Sequence, residues 1–378
     1  KKFLLLAVFF ITPFFTNATT FVSGDIVTDT TWTKAESPYV LTTSIKVNAG
    51  VILILESGVI VKVQESPIEW QDTYFDIYGK LIALGTESER IYFTSAYNDE
   101  LGGDSNGDSD LISPSQFDTW MVRFFHGSEG SQLGHVSMDY SAYGFIFFST
   151  SAVLNDIVIT DNANGVSVIK SVLTIANSNF FNLEQLALNV YKDCIVTVND
   201  SIIDDILYWA ISVSNGSKLF LNNVLVNNVA LDYAATVANN SAISIASSTF
   251  NGGLDGGVGA FYSSTINISS STIKDFVEEG IFVADGSYLT IENSIIQGNE
   301  NGIILANRCE NCSPLYKEKY RSFLIARNNN ISDNNSFGLY MTPTNTADAK
   351  NNWWGHPSGP KNFSLNPDGL GDWVSDGI

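Results

Sequence analysis

Basic residues are scarce. The chain has 19 Lys plus Arg against 40 Asp plus Glu, a net charge of −21 over 378 residues, which argues against nucleic acid, whose phosphates need a basic footprint. It suits an extracellular surface, a cationic partner or a bound divalent metal. Cysteine is scarcer still, at three, too few for a disulfide framework. After the first residues no run reaches the roughly 18 continuous apolar residues of a membrane-spanning helix. Through the middle of the chain no segment sustains a 3.6-residue apolar period long enough for a helix, which excludes leucine-rich and helical repeats.

What is present is a short repeat from Gly165 to Met341. One column is a small residue before an apolar strand: Gly165, Ala187, Ala210, Ala234, Gly257, Gly280, Gly302 and Gly338, with steps of 22, 23, 24, 23, 23, 22 and 36. Three apolar columns keep that step. They begin at Leu173, Ile175 and Phe180 and end at Leu324, Ala326 and Ile331. The one long step reflects an insertion at 308–319. Alternation such as Leu289-Thr290-Ile291 is the two-residue period of a strand with one buried face. Three short strands per unit cannot bury their own apolar rows, so the units must stack at roughly 4.8 Å. The expected fold is all-β: a single-stranded parallel β-helix solenoid with three short strands per coil of about 23 residues.

Residues 1–18 read as a secretory signal. Lys1 and Lys2 precede the apolar run Phe3 to Phe15, and Thr16-Asn17-Ala18 offers a cleavage site. Residues 19–378 are then expected to form one domain. In it, 19–95 supply an N-terminal cap and first coils, with Trp32 and Tyr39 in the cap. An acidic loop spans 98–115, regular coils 120–343, and a terminal coil 344–378. That terminal stretch is shorter than relatives would lead one to expect, so a missing final cap is one reading of it.

The wording at the two ends of this domain carries a resemblance. Trp32-Thr33-Lys34, Val47-Asn48-Ala49-Gly50-Val51, Glu56-Ser57-Gly58-Val59, Gly79 to Thr86 and Ile91-Tyr92-Phe93-Thr94-Ser95 resemble the opening of secreted microbial right-handed parallel β-helix proteins of the pectate-lyase-like superfold. Asn351-Asn352-Trp353-Trp354-Gly355 with Ser358-Gly359-Pro360 is similar to their last coil. The resemblance implies right-handed winding. That family includes carbohydrate-active members, but a shared fold does not transfer an activity.

Three groups of residues carry candidate chemistry. Asp104, Asn106, Asp108 and Asp110 fall at every second position of the acidic loop, a spacing that turns oxygen ligands toward one hard cation. Calcium, which takes six to eight oxygens in loose geometry, is the expected ion, in a structural role. The bidentate Glu that completes an EF-hand is absent, since Ser115 stands there. Second, Asp232, Asp255, Glu278 and Glu300 stand two residues before the small-residue column. Stacking places neighbours about one strand spacing apart, within the range of paired glycosidase carboxylates. Equally, a turn column in an acidic chain is polar without any function. Lys274 is the nearby base that a lyase would need, and Trp209 and Tyr233 offer ring faces to a sugar. Third, Cys309 and Cys312 in the insertion suit a local disulfide in an exported chain better than a zinc site. Cys194 reads as a buried free thiol.

The His126-Gly127 stretch lacks the order of acids found in pectin-hydrolysing enzymes, so His126 and His135 read as turn or strand-end residues. Asn222-Asn223, Asn227-Asn228 and Asn328-Asn329-Asn330 read as amide ladders. The function expected from all this is an exported or cell-surface β-helix that is structural or binds an extracellular polysaccharide or cell-envelope component. The alternative is a calcium-supported polysaccharide lyase or glycoside hydrolase using the stacked carboxylates.

Overall fold

The computed structural model describes residues 19–66, 71–307 and 320–376. The proposed signal and the Cys309/Cys312 pair lie outside the described residues. Each regular coil contributes a strand to three faces, here called A, B and C. One coil runs Ile195–Asn199 on A, Ile202–Ile206 on B and Trp209–Ser214 on C. The strands pair in parallel with those of the next coil, Lys218–Asn222, Leu225–Val229 and Ala235–Ala238. Apart from the 3₁₀ turn Lys34–Glu36, the elements among the described residues are strands.

The columns read from the sequence are the register of the sheets. Leu173 pairs with Val196, Val196 with Leu219, Leu219 with Ile243, and so to Leu324. The Phe180 column runs through Ile203, Val226, Phe250, Ile273 and Ile296 to Ile331 in the same way. These side chains are almost wholly inaccessible and form one continuous core from Ile26 to Val374. Burial of like residue over like residue is the main stabilising term, on the order of 2 kcal/mol for each fully buried Leu, Ile or Phe. Trp32 and Tyr39 stack at 4.6 Å inside that core, with Phe75 against Trp32 at 5.8 Å. They fill the first coils from within.

Two buried hydroxyl ladders brace the corners. At the A–B corner, Val224 N donates to Ser248 Oγ, Ser248 N to Ser271 Oγ and Ser271 N to Ser294 Oγ, at 3.0–3.1 Å. At the C–A corner a second ladder runs through Ser217, Ser241, Ser264 and Ser287. Cys194 occupies a rung of it: Ser171 N points at its Sγ and its own N–H reaches Ser217 Oγ. The thiol is free and buried, standing in for a serine hydroxyl. Turns inside a solenoid leave backbone N–H groups out of the ladders between strands, and these side chains satisfy them.

Candidate functional site

The register of face C carries Trp209, Tyr233, Gly256 and Glu279 into one column at the start of successive strands. Trp209 is 42% exposed, and Tyr208 beside it 39%. Gly256 is what lets the next two residues meet. A Cβ there would lie 2.3 Å from Tyr233 Cε1, so only glycine allows the phenol ring to lie across that coil. Tyr233 Oη then donates to Glu279 Oε1, two coils on. The ring edge packs on Phe261, centroids 6.0 Å apart.

Asp232, Asp255, Glu278 and Glu300 flank this column along the B–C corner. Asp232 Oδ1 accepts from Tyr233 N and Asp255 Oδ1 from Gly256 N, both at 2.8 Å. Glu300 accepts from Ser336 Oγ at 2.5 Å, and Glu278 is exposed. Burial, helped by the charge of Asp232, raises the Asp255 carboxyl above its ordinary value against the pull of the Gly256 N–H. Burial also raises Glu279, with Glu278 and Asp255 adding to it and the Tyr233 bond opposing. The Tyr233 phenol is held protonated by burial and by the Glu279 charge.

Glu279 was not legible as a site residue. Its column otherwise holds Leu186, Trp209, Tyr233, Gly256, Asn301 and Phe337, so a single acid shows no period. The available signal was the glycine between an aromatic residue and an acid. Lys274 sits on face B, with its ammonium 3.2 Å from Asp275. Toward the other end of the carboxylate column, a hollow of about 250 Å³ opens at the B–C corner, lined by Gln116, Glu184 and Asp205 among others.

In the acidic loop, ligand atoms of Asp99, Asp104 and Asp108 lie within 4.8 Å of one another, a group that could hold a metal ion. Of the four residues expected from alternation, Asp104 and Asp108 are in this group. Asp99, preceding the alternating run, completes it, while Asp110 turns away in a left-handed conformation and donates its N–H to Asp108 Oδ1. The loop folds back because the buried Lys62 ammonium holds Gly103 O at 2.6 Å. The oxygens Asp99 Oδ1 and Asn106 Oδ1 are buried without a partner, and such oxygens are the ligands a hard cation takes. Burial and then the charge of Asp104 raise the Asp99 carboxyl. Burial lowers Lys62, with Asp99 and Asp104 acting the other way.

Residues 164–315 match the family model described as "Right handed beta helix region". No curated protein matches the chain in sequence at a significant level. Among solved structures, the periplasmic alginate epimerase AlgG is similar at 12% identity, over 86% of this chain and 84% of that one, with a TM-score of 0.65. The A-module of Azotobacter vinelandii mannuronan C-5 epimerase AlgE6 aligns over 89% of this chain and 90% of that one, at 11% identity and a TM-score of 0.40. At such identities the likeness to AlgG is one of fold alone. The chain is an all-β parallel β-helix in fold, and its residues 164–315 match the right-handed form of that helix.

Proposed function

We propose that this chain is an exported polysaccharide-binding rod whose face C carries the binding site. The exposed Trp209 ring at the head of the Tyr233–Glu279 column, beside a row of carboxylates, is the observation that supports it. A ring face takes the apolar side of a sugar, and carboxylates accept hydrogen bonds from its hydroxyls. Calcium is the proposed ion at Asp99, Asp104 and Asp108, with Asn106 Oδ1 as a further oxygen. Its role there is to neutralise the loop. The likeness to a periplasmic enzyme that acts on alginate is consistent with a polysaccharide partner outside the cytoplasm.

A second reading starts from Glu279. A buried carboxyl whose pKa is raised and whose oxygen is held by a phenol has the properties of a general acid. With Asp255 or Glu278 as the second carboxylate, the site would hydrolyse a glycosidic bond. Lyase chemistry is the weaker form, because Lys274 pairs with Asp275.

One experiment separates the two readings. Acidic and neutral polysaccharides are incubated with the chain and calcium, and both retention and chain length are followed. Binding predicts retention without shortening, weakened roughly tenfold in Trp209→Ala. Shortening that disappears in Glu279→Gln and in Asp255→Asn/Glu278→Gln would make the protein a hydrolase. Neither retention nor shortening would sink both readings.

A further inference from the structure

Face A carries a groove of about 660 Å³, on other coils than the aromatic column of face C. Its origin is in three aligned strands. Lys80–Leu84 pairs with Ser131–Asp139, which pairs with Ser151–Ile169. Position 134 faces outward between Leu84 and Asn155 and is glycine. A Cβ there would touch only Leu84 Cδ2, at 3.1 Å, and Asn155 O, at 3.9 Å. The missing side chain leaves a dent. Leu84 forms one wall, 46% exposed, and Val153 and Val172 form the other, 52% and 51% exposed, over a floor of buried Leu133 and Ala152.

The charge around this dent is opposite to that of the molecule. Among the described residues no carboxylate lines it, and His135 is the one titratable residue in its wall, in a chain of net charge −21. At one end Lys80 Nζ lies 3.5 Å from where a Cβ of Gly130 would sit, and it has no ion pair among the described residues. At the other end His135 Nδ1 stands 2.7 Å from Asp156 Oδ2, while Arg90 holds Asp156 Oδ1 at 2.7 Å. Asp156 is thus compensated by the Arg90 guanidinium. From Lys80 to Leu84 the wall runs about 13 Å, at roughly 3.3 Å per residue.

We propose that this groove binds a small amphipathic carboxylate, with its apolar body between Leu84 and Val153/Val172 and its carboxylate on Lys80. A mainly apolar lining with a cation at its end, Lys80 beside the lining residue Gly130, follows the pattern of a small-molecule site. Charge complementarity selects the anion, since the acidic surface elsewhere on this chain would repel it. The inference is independent of the reading of face C.

The test is a titration with octanoate, octanol and octylammonium, following the methyl resonances of Leu84, Val153 and Val172. Octanoate is expected to shift all three and to bind roughly threefold to tenfold more tightly than octanol, with octylammonium weakest. Lys80→Gln should bring octanoate down to octanol, and Gly134→Val should abolish binding by filling the dent. Val172→Glu, at a position already half exposed, makes the same test if Gly134→Val fails to fold. Equal binding of octanoate and octanol would overturn the proposal, as would binding that survives both groove variants. So would a dimer that Gly134→Val dissociates, which would give the groove to a second copy of the chain.

Discussion

At the corner between faces A and B, Asn223 Nδ2 donates to Asp200 Oδ1 at 2.7 Å and Asn222 Nδ2 to Asn199 Oδ1 at 2.8 Å. At the corner between B and C, Asp232 and Asp255 stack over the same step and bind only the backbone N–H of the next residue. Both are ladders of polar side chains repeated every coil. They differ because an amide both donates and accepts, whereas an ionised carboxylate only accepts. A column of amides can satisfy itself, and so it closes. Carboxylates in a column repel one another and keep unused lone pairs, and so they stay open to a cation, a hydroxyl or a proton. In the first ladder an acid can be the partner, as Asp200 is for Asn223, and on face B Asp204 does the same for Asn228, because an acceptor is what the free amide N–H₂ needs.

The largest expected effect comes from breaking the self-satisfied side. Asn329 is buried, receives Ser294 N, and donates to Ile291 O and Asn352 Oδ1. Asn329→Leu keeps the branched shape and strands Ser294 N and Ile291 O, while Asn352 Oδ1 still accepts from the Asn329 N–H, so a loss of about 2–3 kcal/mol is expected in denaturant unfolding. A loss under about 1 kcal/mol would mean that water replaces the amide.

The second prediction concerns a carboxylate that cannot find enough donors. Asp118 is buried, its Oδ2 has no partner, and burial lifts its pKa to about 6. Asp139, also lifted to about 6 by burial, behaves alike. A folded pKa above the unfolded value of 3.8 means that the folded state holds the proton more tightly. Stability is then full below that value and is lost as pH rises toward about 6. Asp118→Asn should therefore leave stability at pH 4 nearly unchanged and raise it at pH 7 by about 1–2 kcal/mol. Parallel unfolding curves for the two proteins at both pH values would count against it.

The third and smallest effect tests whether a cation completes an acceptor-only cluster. Calcium at tenfold its Kd should add about 1.4 kcal/mol to the stability of the wild type, read as a rise in Tm that chelator reverses. Asp104→Asn/Asp108→Asn should lose the response, while Asp110→Asn should retain it. A response unchanged in the double variant would place the ion elsewhere.

These contrasts also show how far the residues could be read in advance. Repetition was legible wherever one residue type recurs at one position. The Leu173 and Phe180 columns are pairings in the sheets, and the small-residue column is buried where it carries alanine. The serine ladders recur just as strictly and are not legible in the residues, because serine is common in turns and its role depends on its hydroxyl lying beneath a backbone N–H of the preceding coil. Pairing across columns was not legible. Tyr233 reaches Glu279 over a coil that has no side chain there, and Asp99 joins Asp104 and Asp108 only because Lys62 draws the loop back.

What the sequence by itself determined is the solenoid: a period near 23 with two-residue alternation has one stable outcome, stacking in register, since a shift of one residue would turn every core side chain to solvent. What only the tertiary structure decided is which polar groups meet. That depends on ring orientation, on where a glycine leaves room and on how a non-repeating loop folds over a buried lysine, distances that no period encodes.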